Sequence, residues 1–181
     1  EKGLIDAELD EYGVSAPVSR SDLMDMLCRA IPQAQRTEIN SIPDGSIPDL
    51  FTSAPYRDNV YTLYRMGIVT GANKRGACLP DECISRAEVA TIFFRLLTDE
   101  ARDEYLSETS PFADVASDAW YATAVATMEA MGIVEGRAPA VFDPDAPITR
   151  GEFAAIAARF DSAPYDGADR FTDIGGHWAA E

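Results

Sequence analysis

The chain has little of several residue types on which common binding and catalytic sites depend. It contains one histidine, three cysteines, and 15 basic against 31 acidic residues, with a formal net charge of −16 over 181 residues. The single histidine, His177, and the lack of a second close cysteine pair argue against a zinc site. The acidic balance argues against nucleic acid as a partner, because lysine and arginine bind the phosphate backbone.

Long apolar runs and catalytic signatures are missing as well. No run approaches the roughly 20 residues of a membrane-spanning helix, so we expect no membrane insertion. There is no signal segment or initiator methionine, and we expect a mature or excised piece of a longer protein. The sequence has no G-x-S-x-G, no Cys/His pairing and no glycine-rich phosphate loop. Paired carboxylates could cleave glycosides, but 31 acids always offer a suggestive pair, so we predict neither enzymatic activity nor a cofactor.

What the chain does have is an internal repeat. The segments VSRSDLMDMLCRAI from residue 18, ISRAEVATIFFRLL from residue 84 and ITRGEFAAIAARF from residue 148 align without a gap. Arg20, Arg86 and Arg150, called the motif arginines below, hold the same position in the three copies. The recurrence of one arginine-led segment at residues 20, 86 and 150 indicates a repeat architecture. This architecture decides how the whole chain is interpreted.

Each copy carries the signals of a capped amphipathic helix. A hydroxyl residue stands three positions before an acid, the spacing of a capping box, in three pairs: Ser19 and Asp22, Ser85 and Glu88, Thr149 and Glu152. Because Asp22 is shorter than glutamate, the first box should be weaker. Apolar residues at +3, +6, +7 and +10 from each arginine form one helical face. A second arginine recurs at +9, and we expect it to be solvated or structurally paired: Arg29, Arg95 and Arg159.

The similarity extends upstream of the second and third copies. Residues 67–69 and 132–134 both read Gly-Ile-Val, and three further residues of the second copy match the third: Asp49 with Asp114, Gly71 with Gly136, Pro80 with Pro144. The sequence of each repeat therefore predicts a turn, a helix that ends at glycine, a loop and then the capped helix. We predict an all-α protein with repeats at 1–41, 42–107 and 108–170. Residues 171–181 would start a further repeat or complete the last one.

The ordered motifs resemble the S-layer homology family, whose repeat runs F-x-D-V, an aromatic residue, G-I-x-G, F-x-P and I-T-R-A-E. The resemblance is close over 108–160, adequate over 42–97 and loose over 1–41, where SRSD replaces TRAE and F-x-D-V is missing. It implies a pseudo-threefold, three-pronged spindle with a central three-helix bundle made of the capped helices. It also implies a non-catalytic anchor for a larger exported protein at the cell surface, in the cell wall or S-layer.

The resemblance further implies a ligand and its contacts. In this family, grooves between prongs hold a cell wall glycan, and the motif arginine is a main contact; this carries over to Arg86 and Arg150, and less directly to Arg20. The implied glycan is a secondary cell wall polysaccharide, typically pyruvylated, with peptidoglycan itself as the alternative. An arginine fork suits the carboxylate of a pyruvate ketal. The loops of Gly71 and Gly136 would also line the grooves.

Several of these residues have structural interpretations too. The first turn of a helix disfavours a cation, so the motif arginines either bind ligand or pack against a neighbouring acid or carbonyl. Trp120, like Trp178, either stacks on a sugar ring or fills a joint between repeats. Asp114 either contacts ligand or, as we expect of Asp49 and Asp173, serves as a turn or N-cap residue.

The cysteines and the overall role also leave alternatives. Cys78 and Cys83 bracket a four-residue stretch and, given the export that the resemblance implies, are either disulfide-bonded or free. Cys28 lies on a helix face and is expected to be a free thiol. The alternative to glycan anchoring is an assembly role, in which the module contacts other proteins of a surface lattice.

Overall fold

A computed structural model describes residues 13–160 of the chain. Six α-helices lie in this range: α1 Arg20–Ala30, α2 Arg57–Arg65, α3 Arg86–Leu96, α4 Asp99–Tyr105, α5 Ala122–Ala130 and α6 Arg150–Phe160. A 3-10 turn at Gln33–Gln35 follows α1. β-type pairing in this range is limited to four isolated antiparallel bridges. The all-α prediction is confirmed.

The described residues form two compact units. The first unit comprises residues 18–84, and the second comprises residues 13–17 together with 85–160. The helices α1, α3 and α6 are called the motif helices below. In the first unit α1 packs on α2, and in the second unit α3 packs on α5, so that each of these two motif helices packs on a helix of the following repeat. The boundaries of the two units therefore differ from the repeat boundaries that sequence similarity predicts. The predicted repeat boundaries and the spindle with its central bundle stay predictions.

Local capping explains where the motif helices begin. The hydroxyl oxygen of Ser85 accepts from Glu88 N–H at 3.3 Å, and the Glu88 carboxylate accepts from Ser85 N–H at 3.0 Å. Thr149 and Glu152 make the same reciprocal pair at 3.2 and 2.8 Å. Ser19 accepts from Asp22 N–H at 3.1 Å, and no reciprocal bond from Asp22 is present within the described range. The expectation of a weaker first box agrees with this difference.

Glycine ends α2 and α5 in the same way. Gly67 and Gly132 have φ of +73° and +70°, in the left-handed region that glycine adopts without a Cβ clash. In α5, Gly132 N–H donates to Glu129 O at 2.8 Å and Ile133 N–H donates to Met128 O at 2.9 Å. This is the Schellman pattern, and α2 repeats it, so both helices end where the sequence predicted.

The apolar face of each motif helix supplies part of a core. Leu23 and Leu27 of α1 are buried in the first unit. In the second unit, the ring of Phe93 on α3 lies 6.1 Å from that of Phe153 and 5.2 Å from that of Phe160, both on α6. The second and third motif helices therefore pack against each other through the predicted faces. Among residues 13–160, no helix combines the length and the apolar character needed to cross a membrane.

A repeated backbone junction fixes the start of every motif helix. The first two N–H groups of each helix donate to two carbonyls of a loop that precedes another motif helix, at 2.9–3.0 Å: Arg20 and Ser21 to Glu82 and Pro80, Arg86 and Ala87 to Ala146 and Pro144, Arg150 and Gly151 to Ala16 and Val14. These bonds satisfy donors that have no partner inside the helix. The shortened first repeat thus still supplies the acceptors for α6.

Candidate functional site

Two of the three motif arginines are buried. Arg20 and Arg86 are each 5% exposed. Arg20 Nε donates to Cys78 O at 2.7 Å, and Arg86 Nε donates to Phe142 O at 2.8 Å. In both cases the acceptor belongs to the loop before the next motif helix. Of the two interpretations left open by the sequence, contact with a neighbouring carbonyl is the one present for these two side chains.

The predicted aspartates hold the same loops. In the second unit, Asp114 accepts from Phe142 N–H at 2.9 Å and from Asp143 N–H at 2.7 Å. Asp143 has φ of +61°, a strained backbone for a residue with a Cβ. Burial opposes ionisation of Asp114, but the two N–H bonds outweigh it and lower its pKa. The carboxylate therefore stabilises a strained distant turn and also bonds to its own backbone N–H.

The first unit repeats this arrangement. Asp49 accepts from Cys78 N–H at 2.9 Å and from Leu79 N–H at 2.7 Å, and Leu79 has φ of +48°. The pKa of Asp49 is lowered for the same reasons: burial raises it, and the two N–H bonds more than compensate. One loop residue, Cys78 in the first unit and Phe142 in the second, thus donates its N–H to the aspartate. The carbonyl oxygen of the same residue accepts from the arginine. An aspartate, a loop residue and a motif arginine form one connected bridge in each unit.

Gly71 and Gly136 lie where the loop backbone closes on itself. A Cβ on Gly71 would sit 2.8 Å from the Cα of Gly76, and Gly71 has φ of +89°. A Cβ on Gly136 would sit 2.6 Å from Val141 O and 2.7 Å from the Phe112 ring. Both glycines are therefore required by close approach of the backbone, whatever else they contact.

Arg86 makes further contacts in the second unit. Its Nη1 lies 2.7 Å from Glu152 Oε1, its Nη2 donates to Glu135 O at 2.7 Å, and its guanidinium carbon lies 4.7 Å from the centre of the Phe142 ring. Burial lowers the pKa of Arg86, and the charge of Glu152 opposes that shift. Arg86 is therefore held on every side by protein groups.

Glu152 is the centre of an ion cluster. Besides capping α6 and pairing with Arg86, its two oxygens accept from Arg137 Nε at 2.8 Å and Nη2 at 3.0 Å. Burial opposes ionisation of Glu152, but the hydrogen bonds from Arg137 and from Thr149 N–H, with the charge of Arg86, lower its pKa to about 2. Arg137 also binds Asp143 at 2.8 Å. One capping residue thus connects two motif helices and a loop.

These residues border a cleft of about 580 Å3 in the second unit. Its lining combines ionic, polar and small apolar groups: Ser15, Arg86, Glu135, Gly136, Arg137, Thr149, Glu152, Ala155, Ile156 and Arg159. Three arginines face two glutamates, so the lining carries a net positive charge in a chain whose net charge is −16. Such a cleft can bind a hydroxyl-rich ligand that bears a negative charge.

The cleft contains only some of the predicted ligand residues. Arg86 and Gly136 line it, whereas Asp114 acts one step away through residues 142 and 143. Arg150 is half-buried and outside the lining. Trp120 is also outside it; the side chain is 65% exposed, with its ring 5.2 Å from that of Tyr121. It therefore does not fill a joint within the described residues.

Sequence reasoning missed two charged residues of the cleft and undervalued a third. Arg137 follows Gly136, where the second repeat has alanine, so no motif marks it. Glu135 stands between Gly-Ile-Val and Gly136, where the second repeat has Thr70. Arg159 was visible as the recurring +9 arginine, but a recurring surface cation has no distinctive signal. Trp178, Asp173, His177 and the proposed further repeat at 171–181 lie outside the described residues.

The cysteines are not bonded. Cys28 and Cys78 are buried free thiols, and Cys83 is an exposed free thiol. The disulfide considered for Cys78 and Cys83 is therefore not formed in this structure, whereas the free Cys28 agrees with expectation. Burial, followed by the charge of Asp49, raises the pKa of Cys78 to about 12, which makes it unreactive. Within residues 13–160, no three His, Cys, Asp or Glu side chains converge as a metal site.

The fold and the site define a class: an all-α repeat module whose helices begin at arginine-bearing junctions and whose second unit holds a polar cleft. Residues 111–154 match the family model of the S-layer homology domain. The chain carries a domain of the S-layer homology family, as the sequence motifs indicated. The matched stretch contains Asp114, Gly136, Arg137 and Glu152.

Three relatives extend the comparison. The chain is similar to cell surface glycoprotein 1 of Acetivibrio thermocellus, with 34% identity over 119 residues, 59% of this chain and 5% of that protein. It is 38% identical over 100 residues to the surface-layer 125 kDa protein of Lysinibacillus sphaericus, 55% of this chain and 8% of that protein. It is 31% identical over 110 residues to a cellulosome-anchoring protein of A. thermocellus, 58% of this chain and 25% of that protein. The chain therefore spans a small part of each relative.

Proposed function

We propose that this chain is a non-catalytic module that anchors a larger protein to the cell wall by binding a wall glycan. The family and the three relatives indicate a location at the cell surface, in the cell wall or S-layer. The observation that carries the proposal is the cleft of the second unit, where Arg86 and Gly136 meet a net positive lining. Arg20, Gly71 and Arg150 belong to the same motif positions in other copies.

The chemistry of the cleft favours a carboxylate-bearing glycan. Because the chain as a whole is strongly acidic, its net charge would repel an anionic wall polymer. Only a local cationic site can hold such a polymer. Ser15 and Thr149 offer hydroxyl groups for sugar hydroxyls, and Ala155 and Ile156 offer a small apolar surface. Outside the cleft lining, Trp120 presents an exposed ring on which a pyranose can stack. A pyruvylated secondary wall polysaccharide combines these features.

The ionic state of the cleft argues against glycoside hydrolysis. A glycosidase needs a carboxylic acid that stays protonated near neutral pH, usually because its pKa is raised. The pKa of Glu152 is instead lowered to about 2, because the bonds from Arg137 and Thr149 outweigh burial. Glu152 is therefore an ionised structural carboxylate and does not suit the role of a general acid.

The alternative is an assembly role through protein contacts. Large apolar side chains are exposed in the first unit, where Phe51 is 75% and Ile39 is 72% exposed. Such residues are frequent in interfaces between proteins. Under this alternative the chain would bind neither wall glycan nor peptidoglycan, and it would sediment with other surface proteins.

A wall pull-down separates these functions. The chain is incubated with purified Gram-positive walls, before and after chemical removal of all polymers other than peptidoglycan. We expect binding that is lost with those polymers. Unchanged binding would move the target to peptidoglycan, and no binding to either preparation would favour the assembly role.

A pair of substitutions on α6 then tests the cleft itself. Ala155 lines the cleft, and Ala158 is exposed on the same helix outside the lining. Ala155→Trp should fill the space and reduce wall binding at least tenfold, whereas Ala158→Trp should leave it unchanged. If the two variants bind equally well, the cleft is not the glycan site.

A further inference from the structure

The three arginines of the cleft differ in how far the protein already uses their donors. Arg86 is 5% exposed, and each of its three nitrogens has a protein acceptor: Phe142 O, Glu152 Oε1 and Glu135 O. Its face also lies over the Phe142 ring. A ligand carboxylate could reach Arg86 only by breaking contacts that hold the loop and α6 in place.

Arg137 is similarly occupied, although it lies nearer the surface. Its Nε and Nη2 bind Glu152 as a fork, its Nη1 binds Asp143 at 2.8 Å, and Nη2 also donates to Pro147 O at 3.1 Å. Hydrogen bonds to Glu152 are the main reason that its pKa is raised. A bidentate pair of this kind is strong, so Arg137 is a poor candidate for exchange with a ligand.

Arg159, in the last turn of α6, is held by one exposed pair. Its Nη2 lies 3.0 Å from Glu135 Oε2, and the side chains of Arg159 and Glu135 are 33% and 66% exposed. Exposed ion pairs contribute little to stability, because water screens them and both side chains lose freedom. No other hydrogen bond or ion pair joins Arg159 to the described residues. Of the three arginines in the cleft, Arg159 is therefore the one whose guanidinium group can bind a ligand with the smallest loss of protein contacts.

We propose that Arg159 is the residue that contacts the carboxylate of the wall glycan, and that Arg86 is a positioning residue. This inference rests on the function proposed above and names the specificity determinant of that site. The ligand carboxylate replaces Glu135 on Arg159, while Arg86 and Arg137 hold Glu152 and the loop that shapes the cleft. The +9 arginine, rather than the motif arginine, then distinguishes a charged glycan from a neutral one.

The experiment compares two forms of one probe. Soluble wall polysaccharide carrying pyruvate ketals is used directly and after mild acid removal of the ketals, which leaves the sugar backbone without its carboxylates. Affinity of the full chain for each form is measured by calorimetry. The unmodified chain should prefer the ketal-bearing form, and Arg159→Ala should reduce affinity for that form about tenfold. Affinity for the ketal-free form should stay unchanged.

Three further variants make the assignment specific. Arg29 is the matched control, since it holds the same +9 position on α1, pairs with Asp25 at 3.0 Å and lies outside the cleft; Arg29→Ala should change neither affinity. Arg159→Lys keeps the charge without the fork and should restore part of the preference. Arg86→Lys should reduce thermal stability while the preference between the two forms is kept.

The outcomes separate this inference from the proposed function. If the chain binds walls but Arg159→Ala keeps its full preference for the ketal-bearing form, the assignment of Arg159 is wrong and the anchoring function stands. Loss of that preference in Arg86→Lys, at unchanged melting temperature, would return the contact to the motif arginine. Absence of wall binding by the unmodified chain would overturn both.

Discussion

The two units build the same junction from the same motif, and in the second unit the described residues also join it to an ion cluster around Glu152. In both, an aspartate and a motif arginine hold one loop residue, Cys78 in the first unit and Phe142 in the second. The second unit adds Glu135 and Arg137 where the first has Thr70 and Ala72. The comparison teaches that the repeat motif encodes the backbone junction, while the ionic chemistry of the cleft depends on positions outside the motif.

The strained loop residues make the same point. Leu79 and Asp143 occupy equivalent positions with positive φ, although one is apolar and the other acidic. Neither side chain favours that conformation as glycine would. The bonds from each N–H to Asp49 or Asp114 hold the backbone there, so the aspartate, and not the residue under strain, specifies the turn.

The largest effect should come from the motif arginines. Arg86→Ala should reduce the free energy of unfolding by about 3–5 kcal/mol, because it leaves Glu152 half-compensated and one buried and one partly buried carbonyl without this donor. Arg20→Ala should also reduce it, because Cys78 O loses its donor, although Cys78 provides no ring like that of Phe142 under Arg86. Chemical denaturation followed by circular dichroism measures both. Equal losses of unfolding free energy in the two variants would show that the ring contact does not make Arg86 more important for stability than Arg20.

The pH dependence of stability should come next in size. A carboxylate whose pKa is lower in the folded than in the unfolded state stabilises the fold above its unfolded value, near 4.5 for glutamate, and loses that effect as the pH falls through its folded value. With a pKa of about 2, Glu152 should contribute on the order of 3 kcal/mol at neutral pH, lost between about pH 4.5 and 2.

Glu152→Gln isolates that contribution. The variant should be less stable at pH 7 and should lose less stability on acidification than the unmodified chain. Glu100→Gln on the exposed face of α4 serves as the control and should follow the unmodified curve. Parallel curves for Glu152→Gln and the unmodified chain between pH 5 and 2 would contradict the assigned role of Glu152.

The smallest effect should be the same in both units. Asp49→Asn and Asp114→Asn each replace a two-oxygen acceptor with a single amide oxygen, so each should lose one N–H bond and about 1–2 kcal/mol of stability. Thermal melting of the two variants, with the exposed Asp103→Asn as control, tests the equality. A marked difference between the two losses would mean that the two junctions are less alike than their geometry indicates.

Much of the local structure could be predicted from the sequence. The capping pairs placed the start of the motif helices, and Gly67 and Gly132 placed the ends of α2 and α5. The site was predicted only in part. Arg86 and Gly136 line the cleft, but the motif gave no sign of Arg137 and none of the bonds from residues 142 and 143 to Asp114.

The sequence by itself determined the helices, because caps, glycine stops and the apolar period act between residues a few positions apart. Only the tertiary structure decided that Arg86 is buried beside Glu152, 66 residues later, and that Asp114 reaches Phe142, 28 residues later. Hydrogen bonds and charge pairs depend on distance in space, and no local pattern records which distant loop will lie beside a given side chain. The hydrogen-bond partners of each buried arginine therefore depend on the acceptors that folding brings to it.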